Sequence, residues 1–146
     1  MRKIEGESLR KDILNRIKHI ESILFFIKKT IKQDNSLRFQ KYQKKIEDIV
    51  NQKSFETVRL HQEIAILAEK SDVTEEIVRL KSHLNFFKSL LNQNQPVGRK
   101  LSFTLQEILR EINTLGSKAS NELTTRNVIE IKEEIEKIKE QVLNIL

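Results

Sequence analysis

Ile13, Ile17, Ile20, Leu24, Ile27 and Ile31 recur at steps of four, three, four, three and four. A strand cannot use that spacing, because its side chains alternate with period two, whereas a helix collects residues three and four apart on one side. The spacing predicts a long amphipathic helix from about Ser8 to Ile31. The rhythm returns three times. Val73, Ile77, Leu80, Leu84, Phe87 and Leu91 form one further seam, Leu101, Leu105, Ile108, Ile112 and Leu115 another, and Val128, Ile131, Ile135, Ile138, Val142 and Ile145 a last one at heptad-like spacing. Tyr42, Ile46, Ile49 and Val50 support a shorter, more polar helix, and Phe55 to Glu69 another with Leu60, Ile64 and Leu67 turned inward.

The expected fold is therefore all-α, an elongated bundle of five or six helices with heptad-like seams. Composition agrees: three Gly, one Pro, one Tyr and no Trp leave few turns and none of the aromatic runs of a sheet. A 38% apolar and 33% charged balance also suits thin helical bundles better than a thick two-layer core. Local signals set the expected ends. QDNS at Gln33 to Ser36 is read as a break, Asp72 as an N-cap with Glu75 three residues on, and NQNQPVG as a loop. Gly116 is read as a left-handed helix stop, and the last helix begins at about Thr124.

With 146 residues the chain is one domain's worth, and its net charge of +6 is unevenly spread. Residues 1–59 hold 15 Lys and Arg against 8 Asp and Glu, residues 60–118 hold 8 against 7, and residues 119–146 hold 4 against 6. A basic arm feeding a carboxylate-bearing middle is what a protein handling a polyanion would show, although lysines solvating helix faces give the same totals. The absence of cysteine excludes disulfides, thiolate metal sites and a cysteine nucleophile. Apolar runs such as Ile23 to Ile27 are far short of a membrane span, and no signal-peptide core opens the chain, so the expected compartment is the cytoplasm.

The polar residues beside two of the seams pose the functional question. Glu76, Arg79 and His83 share a stripe on one helix; Glu107 and Glu111 lie one turn apart on the next, as do Gln106 and Arg110. Two adjacent helices could bring three carboxylates, one imidazole and two guanidiniums to one groove. Oxygen-rich donors of this kind suit Mg²⁺ or Mn²⁺, a guanidinium suits phosphate, and His83 suits proton transfer. A solvated face or an intersubunit salt bridge uses the same residues, and spacing alone leaves the two readings open.

TEEIVRLKSHLNFF at Thr74 to Phe87, PVGRKLSFTLQEILREINTLGSKAS at Pro96 to Ser120 and EIEKIKEQVLNI at Glu134 to Ile145 resemble, in order and spacing, the carboxy-terminal domain of the YicC/YloC family. The likeness is dense from about Arg59 onward, which divides the chain into a basic helical arm, 1–58, and a YicC-type helical domain, 59–146. The resemblance implies a metal-dependent endoribonuclease that assembles as a homo-oligomer, a hexamer, around RNA. Matched by position, its residues here are Glu76, Arg79, His83, Arg99, Lys100, Gln106, Glu107, Arg110, Glu111, Asn113, Ser117 and Lys118.

Chemistry then apportions the roles. Glu76, Glu107 and Glu111 would hold Mn²⁺ or Mg²⁺, with His83, Glu107 and Glu111 as the catalytic groups. Arg79, Arg99, Lys100, Arg110 and Lys118 would contact RNA phosphate, supported by Gln106, Asn113 and Ser117. The alternative is a non-catalytic oligomerisation or RNA-binding module. Ser102 stands where the family carries an acid, and Ile108-Leu109 where it carries Met-Asn. The family's amino-terminal domain has no counterpart, so the chain is expected to be a fragment or a short form.

Overall fold

The computed structural model describes residues 2–50, 57–93, 97–119 and 121–145. They form five helices: α1 (Arg2–Val50), α2 (Thr57–Ser71), α3 (Thr74–Leu91), α4 (Gly98–Lys118) and α5 (Glu122–Ile145). No strand occurs among the described residues, and none of their helices is long and apolar enough to cross a membrane. α3 packs on α4, α4 on α5, α5 on α1 and α1 back on α3, so four helices close a ring around one core that runs from Ile13 to Val142. α2 packs on α1. The predicted seams of α1, α3 and α4 are buried throughout, as is that of α5 as far as Val142.

α1 continues through Gln33 to Ser36, where the sequence suggested a break. Those four residues cost only about 2 kcal/mol together in helix propensity, and none is the Gly or Pro that carries a larger penalty. Asp34 lies 3.4 Å from Arg38 one turn on, a pair that the helix itself creates. The two predicted amino-terminal helices are therefore one rod of 49 residues, about 70 Å long. Its first half supplies Ile13 to Ile31 to the core, while its second half overhangs and buries Ile46.

α2 departs from expectation at Leu67, which is 49% exposed rather than inward, with Ile64 half-buried. The expected start at Phe55 and the residues Asn94 to Pro96 of the predicted loop lie outside the described residues, as do the side chains of Ile49, Val50, Leu60 and Ile145. At the start of α3 the capping position belongs to Val73, and Asp72 sits one residue earlier. Its Oδ1 still accepts the Thr74 N–H at 3.0 Å and the Thr74 hydroxyl at 2.6 Å, which satisfies a donor the helix leaves orphaned. These bonds hold the Asp72 carboxyl below its ordinary range, with the Lys118 charge adding to them. Glu75 pairs with Arg79 instead of closing a capping box.

Gly116 does not end α4. No described glycine has a positive φ, and the helix runs on to Lys118 before Ala119 turns extended at φ −90°, ψ 110°. The position matters for space instead: a Cβ there would come within 3.2 Å of Val128 Cγ1 on α5. α5 starts two residues earlier than expected, at Glu122, because Asn121 Oδ1 accepts the Thr124 N–H at 3.0 Å as an N-cap.

α5 is tied to α1 by a polar ladder beside the seam. Arg16 reaches Glu134 at 2.9 Å and Asp12 at 3.0 Å, and Gln141 donates to Asp12. The Gln141 amide, with Arg16, holds the Asp12 carboxyl below its usual range, and Glu134 and Asp12 raise that of the guanidinium.

Candidate functional site

Two contacts fix how α3 and α4 lie against each other. Glu76, near the start of α3, meets Lys118 at the end of α4 at 2.7 Å, and Arg79 lies 3.7 Å from Glu111. Moving up α3 thus means moving down α4, and this antiparallel register carries His83 to the level of Glu107. Arg79 and His83 on one side and Glu107, Arg110, Glu111 and Thr114 on the other line an open groove of about 570 Å³. The apolar seams beneath it hold the two polar stripes at fixed height.

The six groups differ in how free they are. Glu111 is 7% exposed, and Arg79 at 3.7 Å offsets its charge without forming a close ion pair. Arg79 also pairs with Glu75 on its own helix. Glu107 and Arg110 are exposed and make no ion pair with a described residue, and half-buried His83 makes no hydrogen bond to one. Thr114, which lines the groove, was not among the expected site residues, and its hydroxyl donates to the Arg110 carbonyl at 3.0 Å. Its signal was its place one turn after Arg110.

The structure does not bring Glu76 to Glu107 and Glu111. Glu76 is 3% exposed, its Oε1 accepts from Lys118 Nζ, and its Oε2 is buried with no partner among the described residues. Lys118 also reaches the Asp72 carbonyl at 3.4 Å, and the Glu76 carboxylate raises the pKa of its ammonium. The reason is axial: the register that sets Glu76 against Lys118 leaves it about 10 Å along α4 from Glu111.

Among the described residues no three His, Asp or Glu side chains gather to hold a metal ion. The donor set left in the groove is two carboxylates and an imidazole. That set fits an ion such as Mg²⁺, which takes one or two carboxylates and keeps most of its waters.

The other expected residues lie outside the groove lining. Arg99 and Lys100 are exposed in the first turn of α4, about 10 Å along the axis from Glu107. Gln106 and Asn113 are exposed, and the Ser117 hydroxyl donates back to the Thr114 carbonyl at 2.9 Å. Half-buried Ser102 also sits on α4 outside the lining.

A four-helix ring with a groove of carboxylates, guanidiniums and an imidazole between two antiparallel helices defines an α-helical protein with a charged surface groove. Comparison with known proteins makes the class particular. Residues 27–146 match the family described as "Endoribonuclease YicC-like, C-terminal", and the chain belongs to that family. It is 40% identical over 150 residues to the "Probable endoribonuclease YicC" of Clostridioides difficile strain 630, and 34% identical over 145 residues to the protein of that name from Haemophilus influenzae. In both cases 99% of this chain aligns with 50% of the relative, so the chain spans about half the length of the curated relatives it matches.

Proposed function

We propose that the α3–α4 groove cleaves RNA phosphodiesters with the help of a divalent cation. One observation carries the reading: Arg79 and His83 share a single open groove with Glu107, Arg110 and Glu111. The relatives' names, probable endoribonucleases, support RNA as the substrate class. Glu107 and Glu111 are the oxygen donors for Mg²⁺ or Mn²⁺, which when bound polarises a phosphoryl oxygen and lowers the pKa of a bound water. Arg110 is free to take a phosphate oxygen, and Arg79 sits close enough to Glu111 to exchange its loose contact for one. His83, which makes no hydrogen bond to a described residue, would carry a proton at the level of Glu107.

Glu76 and Lys118 serve differently in this scheme. Their pairing lies beyond the groove lining and fixes the register on which the other groups depend. Arg99 and Lys100 contact a more distant stretch of the same RNA strand.

The test is incubation of the purified chain with a labelled RNA in Mn²⁺ or Mg²⁺, beside EDTA and Glu107→Gln/Glu111→Gln controls. Metal-dependent cutting that the double variant loses is expected. Equal cutting by the folded double variant refutes the assignment of both carboxylates.

A second reading, an assembly module that self-associates, draws on α2, whose adjacent Ile66 and Leu67 are 50% and 49% exposed. A homo-oligomer built through that face predicts that Ile66→Lys/Leu67→Glu lowers the sedimentation coefficient. An unchanged coefficient rules the face out.

A further inference from the structure

The middle of α1 plays no part in the groove, yet it carries most of the molecule's charge excess. From Ser22 to Lys45 there are seven Lys and Arg and one Asp, a surplus equal to the chain's whole net charge of +6. The single acid, Asp34, is 3.4 Å from Arg38. Lys28, Lys29 and Lys32 are exposed and make no ion pair with a described residue. Glu21, the acid one turn before Phe25, is held by Lys88 of α3 at 2.8 Å.

Aromatic rings interleave with these lysines. Phe25 is 69% and Phe39 60% exposed. At about 100° per residue, Lys29, Lys32 and Phe39 fall within about 40° of Phe25 and Lys28 within about 60°, so the five make one stripe about 21 Å long. Single exposed apolar residues are ordinary, but two rings flanking unpaired lysines on one face are a pairing of stacking surface with cationic charge.

We propose that this stripe of α1 is a binding platform for single-stranded RNA, separate from the groove. Bases stack on Phe25 and Phe39, and Lys28, Lys29 and Lys32 take the phosphates between them. The inference rests on RNA being the substrate. A lipid surface fits less well, because the apolar face of α1, Ile13 to Ile31, is buried in the core and cannot enter a bilayer. Lys88, which holds Glu21, belongs to the helix that also carries His83, so a strand on the platform lies beside a wall of the groove.

The test is fluorescence anisotropy of a labelled oligouridylate with the full chain in EDTA, where metal-dependent cutting does not intrude, across a KCl series. All the altered side chains are exposed, and circular dichroism checks that each variant is folded. Lys28→Gln/Lys29→Gln/Lys32→Gln is expected to weaken binding and to reduce the slope of log affinity against log salt by about 2. Phe25→Ala/Phe39→Ala is expected to weaken single-strand binding about tenfold or more, keep the salt slope, and leave binding to an RNA duplex unchanged.

An unchanged slope in the lysine variant overturns the proposal, as does equal single-strand affinity in the phenylalanine variant. A lysine variant that keeps RNA affinity and loses self-association makes the stripe a contact between copies, and also overturns it. Cutting in Mn²⁺ reads the groove through Glu107→Gln/Glu111→Gln, whereas affinity in EDTA reads the platform through the stripe variants, so a failure of the platform and a failure of the cleavage groove give different results.

Discussion

The close approach of α4 and α5 at Gly116 makes a quantitative prediction, because two effects of similar size oppose each other there. Replacing a helical glycine by alanine in open space gains about 1 kcal/mol of helix stability. At Gly116 the new Cβ would sit 3.2 Å from Val128 Cγ1 and 3.7 Å from Cγ2, inside the optimum of about 3.5–4.0 Å for the nearer pair. Val128 is 4% exposed and belongs to the core, so overpacking should cost about 1–3 kcal/mol. Gly116→Ala should therefore range from neutral to destabilising by about 2 kcal/mol.

Val128→Ala removes the opposing methyls and costs about 1.6 kcal/mol in lost burial, plus a cavity term. In that background Gly116→Ala has room and should stabilise by about 1 kcal/mol. Urea unfolding of the four proteins, followed by far-UV circular dichroism, gives the coupling energy directly, and about 1–3 kcal/mol is expected. If Gly116→Ala shifts stability equally in both backgrounds, Val128 is not what forbids a side chain at this point, and the packing account of Gly116 fails.

Further outcomes follow from the polar ladders and the core. Asp12 and Asp72 have lowered folded-state pKa values, so each contributes stability that is complete above the unfolded carboxylate pKa, about 3.9, and is lost as pH falls through the folded value. Urea midpoints should therefore fall below about pH 4, and Asp12→Asn/Asp72→Asn should flatten that fall. Lys118 has a raised pKa, so its contribution is complete below the unfolded value and is lost as pH rises through the folded one; Lys118→Met should remove this alkaline loss. Ile112→Ala, at a fully buried position of α4, should cost about 2–5 kcal/mol, whereas Phe103→Ala at a 61% exposed site should cost less than about 1; thermal melts separate the two.

The seams were legible because burial in this protein follows helical periodicity residue by residue, as the runs Ile13 to Ile31 and Leu101 to Leu115 show. What stayed hidden depends on what lies across from a residue. Periodicity gives Leu67 an apolar neighbourhood, but no described residue covers it. Gly116 carries the composition of a helix stop, and only the nearness of Val128 reveals it as a spacer. QDNS misled because several weakly unfavourable residues were weighed as one strong breaker.

At the site, the sequence identified the stripes but could not give the depth of each acid. The antiparallel register places Glu76 opposite Lys118, one end away from Glu107 and Glu111, and that register exists only once α3 and α4 pack. Thr114 was missed because a hydroxyl on a helix draws no notice until the opposite wall is known.

The closed ring also bears on the order in which the molecule assembles. Three of its walls, α3, α4 and α5, follow one another through short connections, whereas the fourth is sealed by contacts such as Arg16 with Glu134, 118 residues apart. Local contacts form early because little chain entropy is lost in closing them, while distant ones wait for the rest. The α3–α4 hairpin that carries the groove is thus expected to form before α1 docks. Conservative truncations such as Ile108→Val should then slow refolding, and Ile17→Val should chiefly speed unfolding.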